Sequence, residues 1–266
     1  MFVHKLQKLQ WFLYLLIFAV LLLSVFFTYT DKINLTFHKF FNVRKCKCNH
    51  CVSELGESEW FDKRYIPTMY PILTKSNYMI PEESYKWWLR LQHENSPSNI
   101  SSLMEELFNL FPGDNMFMDQ GPNRCRTCAV VGNSGNLKGS KYGPSIDSNN
   151  VVMSTYVPVL RKINANKEKV LVYSPRFFKY VHDNWNEHHG RYCSTGMLVI
   201  AFALHVCDEV NVYGFGADSF GNWHHYWEKN AGAGAFRGTG VHNGDFEANV
   251  TKLLASVGKI NFFKGI

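Results

Sequence analysis

The stretch that most restricts what this 266-residue chain can become spans residues 125–146. Ala129, Val130 and Val131 form a short apolar run of the kind that makes a buried strand, and Gly132, Asn133, Ser134, Gly135 and Asn136 break it at once. A strand ending in such a turn directs backbone N–H groups, with Ser and Asn side chains among them, at whatever lies above it, which suits a phosphate. A strand followed by two glycines is on its own most often an ordinary turn. Cys125 and Cys128, just before the strand, make it less ordinary: one can tie the strand to the N-terminal segment and the other to a later element.

Ahead of this lies a second constraint. Residues 11–27 hold a single polar residue, Ser24. As a helix, residues 11–29 would rise about 28 Å, close to the ~30 Å of a hydrocarbon core. Lys5 and Lys8 precede the run, which predicts a cytosolic tail over residues 1–10 and a type II signal-anchor over 11–29. A cleaved signal peptide is the competing reading, but no A-x-A site follows. Residues 30–45 read as a short stem, and residues 46–266 as one lumenal domain long enough for a substantial core. The net charge of +6 fits an ordinary solvated surface and suits an anionic sugar nucleotide; no basic cluster of the nucleic-acid kind is present.

Seven cysteines lie at 46, 48, 51, 125, 128, 193 and 207. Their Cys-x-Cys-x-x-Cys and Cys-x-x-Cys groupings allow a zinc site, whereas an oxidising lumen favours disulfides. Asn34, Asn99 and Asn249 open glycosylation sequons.

Along the lumenal part, residues 83–95 predict a helix with Tyr85, Trp88, Leu89 and Gln92 at helical spacing. Ser102 and Glu105 form a capping box opening a helix with Leu103, Leu107 and Leu110 on one face. Residues 114–123 are a loop. Residues 169–173 read as a strand, and Ser174-Pro175 opens a helix reaching about Asn184. His188 and His189 fall in a loop as polar surface. Ser194, Thr195 and Gly196 cap a helix over 197–206 that is apolar nearly all round and therefore buried. Its N-terminus is a second anion-facing end. Residues 210–215 follow as a strand. Strand, helix and strand in succession predict an α/β fold with a doubly wound, Rossmann-like, mostly parallel sheet. Asn222 to Trp227 is a cluster of aromatic and imidazole groups; residues 231–240, rich in Gly and Ala, suit a mobile lid. His242 stands just before a helix over 245–257 with Phe246, Val250, Leu253 and Leu254 as its inner stripe.

Four of these pieces, in order, resemble the motifs of the animal sialyltransferases. Residues 125–146 resemble the first half of the large sialylmotif. Gly190-Arg191-Tyr192-Cys193-Ser194-Thr195-Gly196, continuing through Cys207-Asp208-Glu209-Val210 to Gly216, resembles the small sialylmotif. His224-His225-Tyr226-Trp227 resembles the third motif, and His242 with Glu247 the very small motif. The likeness is strongest to the α2,3-sialyltransferases acting on Galβ1,3GalNAc and covers the lumenal part from Cys46 onward. It implies a GT-A-like variant of the fold, a Golgi address, and disulfides Cys46–Cys51, Cys48–Cys125 and Cys128–Cys207. Cys193, where relatives carry proline, is then a free thiol. It further implies a donor site for CMP-sialic acid from Asn133, Ser134, Gly135, Asn136, Tyr156, Ser194, Thr195 and Gly196, acceptor contacts from Gln92, Tyr192 and Trp223, His242 as general base and His225 beside the leaving phosphate.

The implied reaction is inverting transfer of sialic acid to the 3-hydroxyl of a terminal galactose. Neutral imidazole titrates near the working pH and can take the hydroxyl proton. No Asp-x-Asp is placed to hold a metal, and a donor with one phosphate needs none, so no cofactor is expected. The sequence departs from the family after Met153, which runs straight into Ser154-Thr155-Tyr156-Val157-Pro158. Relatives continue there through the second half of the large motif, with at least one strand–helix unit and an Asn that contacts the donor. This reads as an internal deletion. A catalytically inactive form that only binds is the competing reading, and monomer or homodimer is left open.

Overall fold

The apolar run at 129–131 becomes the middle of β1 (Thr127–Val131), a central strand of a four-stranded sheet. The computed structural model describes residues 11, 19–24, 46–94, 99–110, 123–154, 170–229 and 240–265. In the sheet, β2 (Val151–Ser154) and β3 (Glu209–Tyr213) flank β1, and β4 (Asn261–Phe263) lies beyond β3; every pair is parallel. Cys128 stands opposite Val151 on one side and Val210 on the other. The chain leaves β1 first to β2 on one flank and later to β3 on the other. The crevice beyond the carboxyl ends of β1 and β3 is therefore a topological switch point, where open α/β sheets place their ligands.

Both faces of the sheet are covered. Cys128, Val130, Val210 and Val212 face the helix Thr195–Val206, whose residues 197–206 are all buried. Each fully buried Leu, Ile, Val, Phe or Met side chain there contributes about 1.5–3 kcal/mol, so this helix anchors the core. On the opposite face Tyr213 stacks on Phe263 at 4.5 Å. Tyr142 leans on both rings, and Ser145, in the helix Gly143–Asp147, bonds the Tyr213 hydroxyl at 2.9 Å.

Three disulfides brace this frame: Cys46–Cys51 closes a small loop in the N-terminal segment, Cys48–Cys125 ties that segment to the start of β1, and Cys128–Cys207 joins β1 to the end of the core helix. Cys193 is a buried free thiol. With six of seven cysteines oxidised, the zinc reading is set aside, because a zinc site needs thiolates. Beside the third disulfide, Arg124 forks onto Asp208 at 2.9 and 3.1 Å, and Asp208 also accepts the Arg126 N–H at 2.7 Å.

Several boundaries differ from the sequence expectation. Residues 170–173 do not join the sheet: Tyr173 makes only an isolated bridge to Ile72, with Leu73 N–H on Val172 O and Ser174 N–H on Pro71 O. The β-prone run is claimed by an upstream segment that contains a proline and gives no full ladder. The helix Ile100–Leu110 starts earlier than the capping box predicts, because the Asn99 side chain accepts the N–H groups of Ser101 and Ser102. Its inner face shifts accordingly to Met104 and Phe108, with Ile100 and Leu107 against them, and Leu103 is exposed. The helix expected over 83–95 spans Glu82–Gln92 and stops at His93 in a left-handed turn, φ 54°. The helix Pro175–Tyr180 widens into a π-helical turn, Val181–Trp185. The helix expected over 245–257 spans Gly244–Ser256; Glu247 and Thr251 are buried in its inner face, while Leu253 is exposed.

Residues Met1–Val43 and Arg44–Ile266 are two separate units. In the first, Trp11 and residues 19–24 are helical and Val20 to Leu23 are exposed. The rest of the expected anchor, the stem and Asn34 lie outside the described residues, and among the described residues no helix is long and apolar enough to cross a membrane.

One buried group sets a pH dependence. His205 sits on the core helix among the rings of Tyr65, Phe177 and Tyr180, 4.8–5.4 Å away, with Nδ1 donating to Ala201 O at 2.8 Å. Burial lowers its pKa to about 4. The unfolded chain takes up this proton near pH 6.5 and the folded chain only near 4. Stability is therefore full above about pH 6.5 and declines as pH falls toward 4, by on the order of 3 kcal/mol. Denaturant melts across this range should show that slope, and a His205→Met variant should flatten it.

Candidate active site

Glycine is required where β1 ends. A Cβ on Gly132 would lie 2.2 Å from Gly214 O, and Gly214 itself holds φ +68° against the Leu137 side chain. This close approach lets the loop after β1 be stitched to its neighbours. Gly132 N–H donates to Tyr213 O (2.7 Å), Ser134 N–H to Gly214 O (3.0 Å) and Gly135 N–H to His224 O (3.0 Å), while Tyr226 N–H returns to Asn133 O (2.6 Å). The Ser134 hydroxyl donates to Gly216 O at 2.9 Å and accepts the Asn136 N–H at 3.2 Å. These N–H groups were expected to point at a phosphate. They are spent instead on internal bonds that fix the loop to the end of β3 and to the His224–Tyr226 segment.

The anion-facing donors come from the core helix. Ser194 is its N-cap, its hydroxyl accepting the Met197 N–H at 3.2 Å. The helix accordingly begins at Thr195, two residues earlier than expected. The first N–H groups of a helix have no acceptor within it, and they carry the positive end of its dipole. Thr195 and Gly196 present that end to a cleft of about 280 Å³ above β1 and β3. Asn133, Ser134, Phe215, Gly216 and Trp223 form its walls, and His225 and His242 line it as well.

His242 is not the cap of the helix that follows; Asn243 is, accepting the Phe246 N–H at 3.1 Å. The His242 Nδ1 donates instead to Tyr192 O at 2.9 Å, and the Tyr192 ring stands edge-on at 4.8 Å. A neutral ring protonated at Nδ1 carries its lone pair on Nε2, the form a general base needs. His225 bonds Glu228 through Nδ1 at 3.0 Å and stacks on Trp227 at 4.8 Å. Beside His224, at 3.5 Å, the Asp218 carboxyl is held below the usual carboxylate range, chiefly by the Asn222 N–H. Glu247 is buried one turn into its helix, where it accepts the Ser194 N–H at 2.8 Å and the Ser194 hydroxyl.

The sequence-predicted residues divide among several places. Asn133, Ser134, Ser194, Thr195, Gly196, Trp223, His225 and His242 share the cleft, and Tyr192 backs His242. Gly135 and Asn136 line a smaller adjoining cavity of about 170 Å³, where Asn136 Nδ2 donates to Ala217 O at 3.3 Å. Gln92 is exposed at a helix end and does not line the cleft. Arg191, next to Tyr192, reaches that helix end through Leu91 O (3.4 Å) and His93. Asn99 is exposed; Asn249 is exposed on a helix whose Thr251 hydroxyl is buried on Glu247 O. Tyr156 and most of the 231–240 segment lie outside the described residues.

The family model for glycosyltransferase family 29 (sialyltransferase) matches residues 72–161 and 152–259. The chain belongs to the family 29 sialyltransferases. A CMP-N-acetylneuraminate-beta-galactosamide-alpha-2,3-sialyltransferase 1 from Gallus gallus is 50% identical over 283 positions, covering 84% of this chain and 83% of that one. The protein of the same name from Homo sapiens is 43% identical with the same coverage. A crystal structure of a mammalian sialyltransferase superposes with a TM-score of 0.74 at 43% identity, covering 84% of this chain and 100% of that chain. A second, in complex with Gal-beta-1-3GalNAc-ortho-nitrophenol, gives 0.72 at 42%, covering 83% and 100%.

This family member differs from its relatives in one respect. The family match comes in two pieces that meet at residues 152–161. The Gallus gallus alignment, at 283 positions, is longer than the whole 266-residue chain yet uses 84% of it. Relatives thus hold residues opposite which this sialyltransferase has none, in line with the sequence departure at Met153. In the structure β2 ends at Ser154 and, among the described residues, pairs only with β1. Phe215, Gly216 and His224 carry no local signal of a role in the site; only the fold brings their loops over β1. Glu247 is marked in the sequence by its spacing from His242, but nothing local shows its role.

Proposed function

We propose that this sialyltransferase transfers sialic acid from CMP-sialic acid to the 3-hydroxyl of the terminal galactose in Galβ1,3GalNAc glycans of glycoproteins or glycolipids, with inversion. The observation that carries this reading is one cleft holding both the Thr195–Gly196 end of the core helix and a His242 whose Nδ1 is committed to Tyr192 O. The helix end receives the donor phosphate. His242 Nε2 takes the proton of the attacking hydroxyl as the glycosyl–phosphate bond breaks, and His225 meets the charge that develops on the departing CMP. Trp223 and Tyr192 offer flat faces to the acceptor sugar, Asn136, Gly135 and Tyr156 complete the donor subsite, and Gln92, outside the cleft at the end of its helix, meets the more distant part of the acceptor. One phosphate is within the reach of these groups, so no metal is required. The chain is held in Golgi membranes by residues 11–29, with the GT-A-like domain in the lumen. The apolar, exposed Val20 to Leu23 helix supports that topology.

The linkage of the product is the test. Incubation with CMP-sialic acid and a Galβ1,3GalNAc acceptor should yield an α2,3-linked product by NMR, with the anomeric configuration opposite to that of the donor. A 6-linked or retained product would contradict the reading. An inert relative that only binds is the alternative reading. CMP bound without any product would favour that alternative.

A further inference from the structure

Asn186 is fully buried and directly follows the π-helical turn Val181–Trp185. Such turns are rare and concentrate at functional sites. The Asn186 Nδ2 donates to Glu247 Oε1 at 3.2 Å and to His189 O at 3.4 Å. Its Oδ1 is buried with no hydrogen-bond partner among the described residues. An orphaned acceptor in the interior costs stability. An apolar side chain would avoid that cost, but it could not donate to Glu247.

Glu247 carries the constraint onward. The Oε1 that takes the Asn186 amide also takes the Ser194 N–H, and Oε2 takes the Ser194 hydroxyl. Ser194 caps the helix whose first turn lines the cleft. We propose that Asn186 is a positioning residue for the donor: its amide fixes the Glu247 carboxylate, and that carboxylate fixes the Ser194 cap. The inference rests on reading the Ser194–Gly196 turn as the donor phosphate site.

The charged and titratable surroundings of Glu247 are few. Cys193 lies beside it, its thiol pushed up to about 12 by burial and by the Glu247 charge. His189 stands behind Asn186, and Asp218, Asp245, Lys252 and Lys264 line the cavity that Glu247 borders. An Asn186→Asp variant keeps the shape but sets a second carboxylate against Glu247. Two carboxylates in contact ionise together only at a cost in repulsion, which raises the pKa of one of them. The pair shares a proton at low pH and repels at high pH.

The experiment compares amide hydrogen exchange of residues 194–197 with CMP affinity, in the full chain, between roughly pH 5.5 and 8. In Asn186→Asp, protection relative to wild type should be near unity at the acid end and fall about tenfold at the alkaline end, with CMP Kd rising in parallel. In Asn186→Leu, protection should fall about tenfold at every pH while the Thr195–Val206 helix stays folded. Unchanged protection in Asn186→Leu, or a pH-independent loss in Asn186→Asp, would overturn the proposal. If wild type binds no CMP, the donor-site reading fails, and the exchange measurements still decide the relay.

Discussion

His242→Ala should cut sialyl transfer about 10³-fold while leaving CMP affinity within a factor of two or so of wild type. The separation of the two effects follows from the geometry. Asn243, not His242, caps the helix Gly244–Ser256. Removing the imidazole therefore leaves that helix start intact, together with Glu247 and the Ser194 cap it holds. What is lost is the group whose Nδ1 is engaged by Tyr192 O and whose Nε2 can accept a proton. The rate comparison should be made near neutral pH with saturating donor. A variant that turns over normally, or that loses CMP binding along with turnover, would show that His242 is not the base.

Gly132→Ala should lower stability by about 3 kcal/mol, seen as a fall of roughly 6–12 °C in Tm. The added Cβ would sit 2.2 Å from Gly214 O and 2.9 Å from the Phe215 ring, and the first of these contacts is backbone that cannot swing aside. Relief requires the ends of β1 and β3 to part, which breaks the Gly132–Tyr213 and Ser134–Gly214 bonds that hold the loop over the cleft. Donor affinity should fall with stability. Gly143→Ala is the control: a Cβ there meets nothing within 4 Å, and the change should stay within about 0.5 kcal/mol of neutral.

How far this could be read from the chain depends on whether the signal is local. The core helix is apolar on every side, and only burial satisfies that, so its place was legible from residues 197–206 alone. The strand at 129–131 was equally plain. The phase of the helix Ile100–Leu110 was not, because Asn99 and Ser102 are both competent caps and only packing of Met104 and Phe108 chooses between them. The destination of the loop N–H groups was hidden for a different reason. Gly132, Ser134 and Gly135 donate to Tyr213, Gly214 and His224, far later in the chain, and no local pattern announces such pairing. The roles of Glu247 and Asn186 were obscure likewise: Glu247 meets both Ser194 and Asn186 only through the fold.

Sialyl transfer by this route requires CMP and His242 to meet in one place, which a structure of the complex with CMP would reveal. The phosphate should lie against the N–H groups of Thr195 and Gly196, with His225 at its side and His242 facing it across the cleft. CMP seated in the adjoining cavity of about 470 Å³ against Met197, Thr251 and Phe262, which shares Ser194, Phe215, Gly216 and Trp223 with the cleft, and with its phosphate away from Thr195, Gly196 and His242, would contradict it.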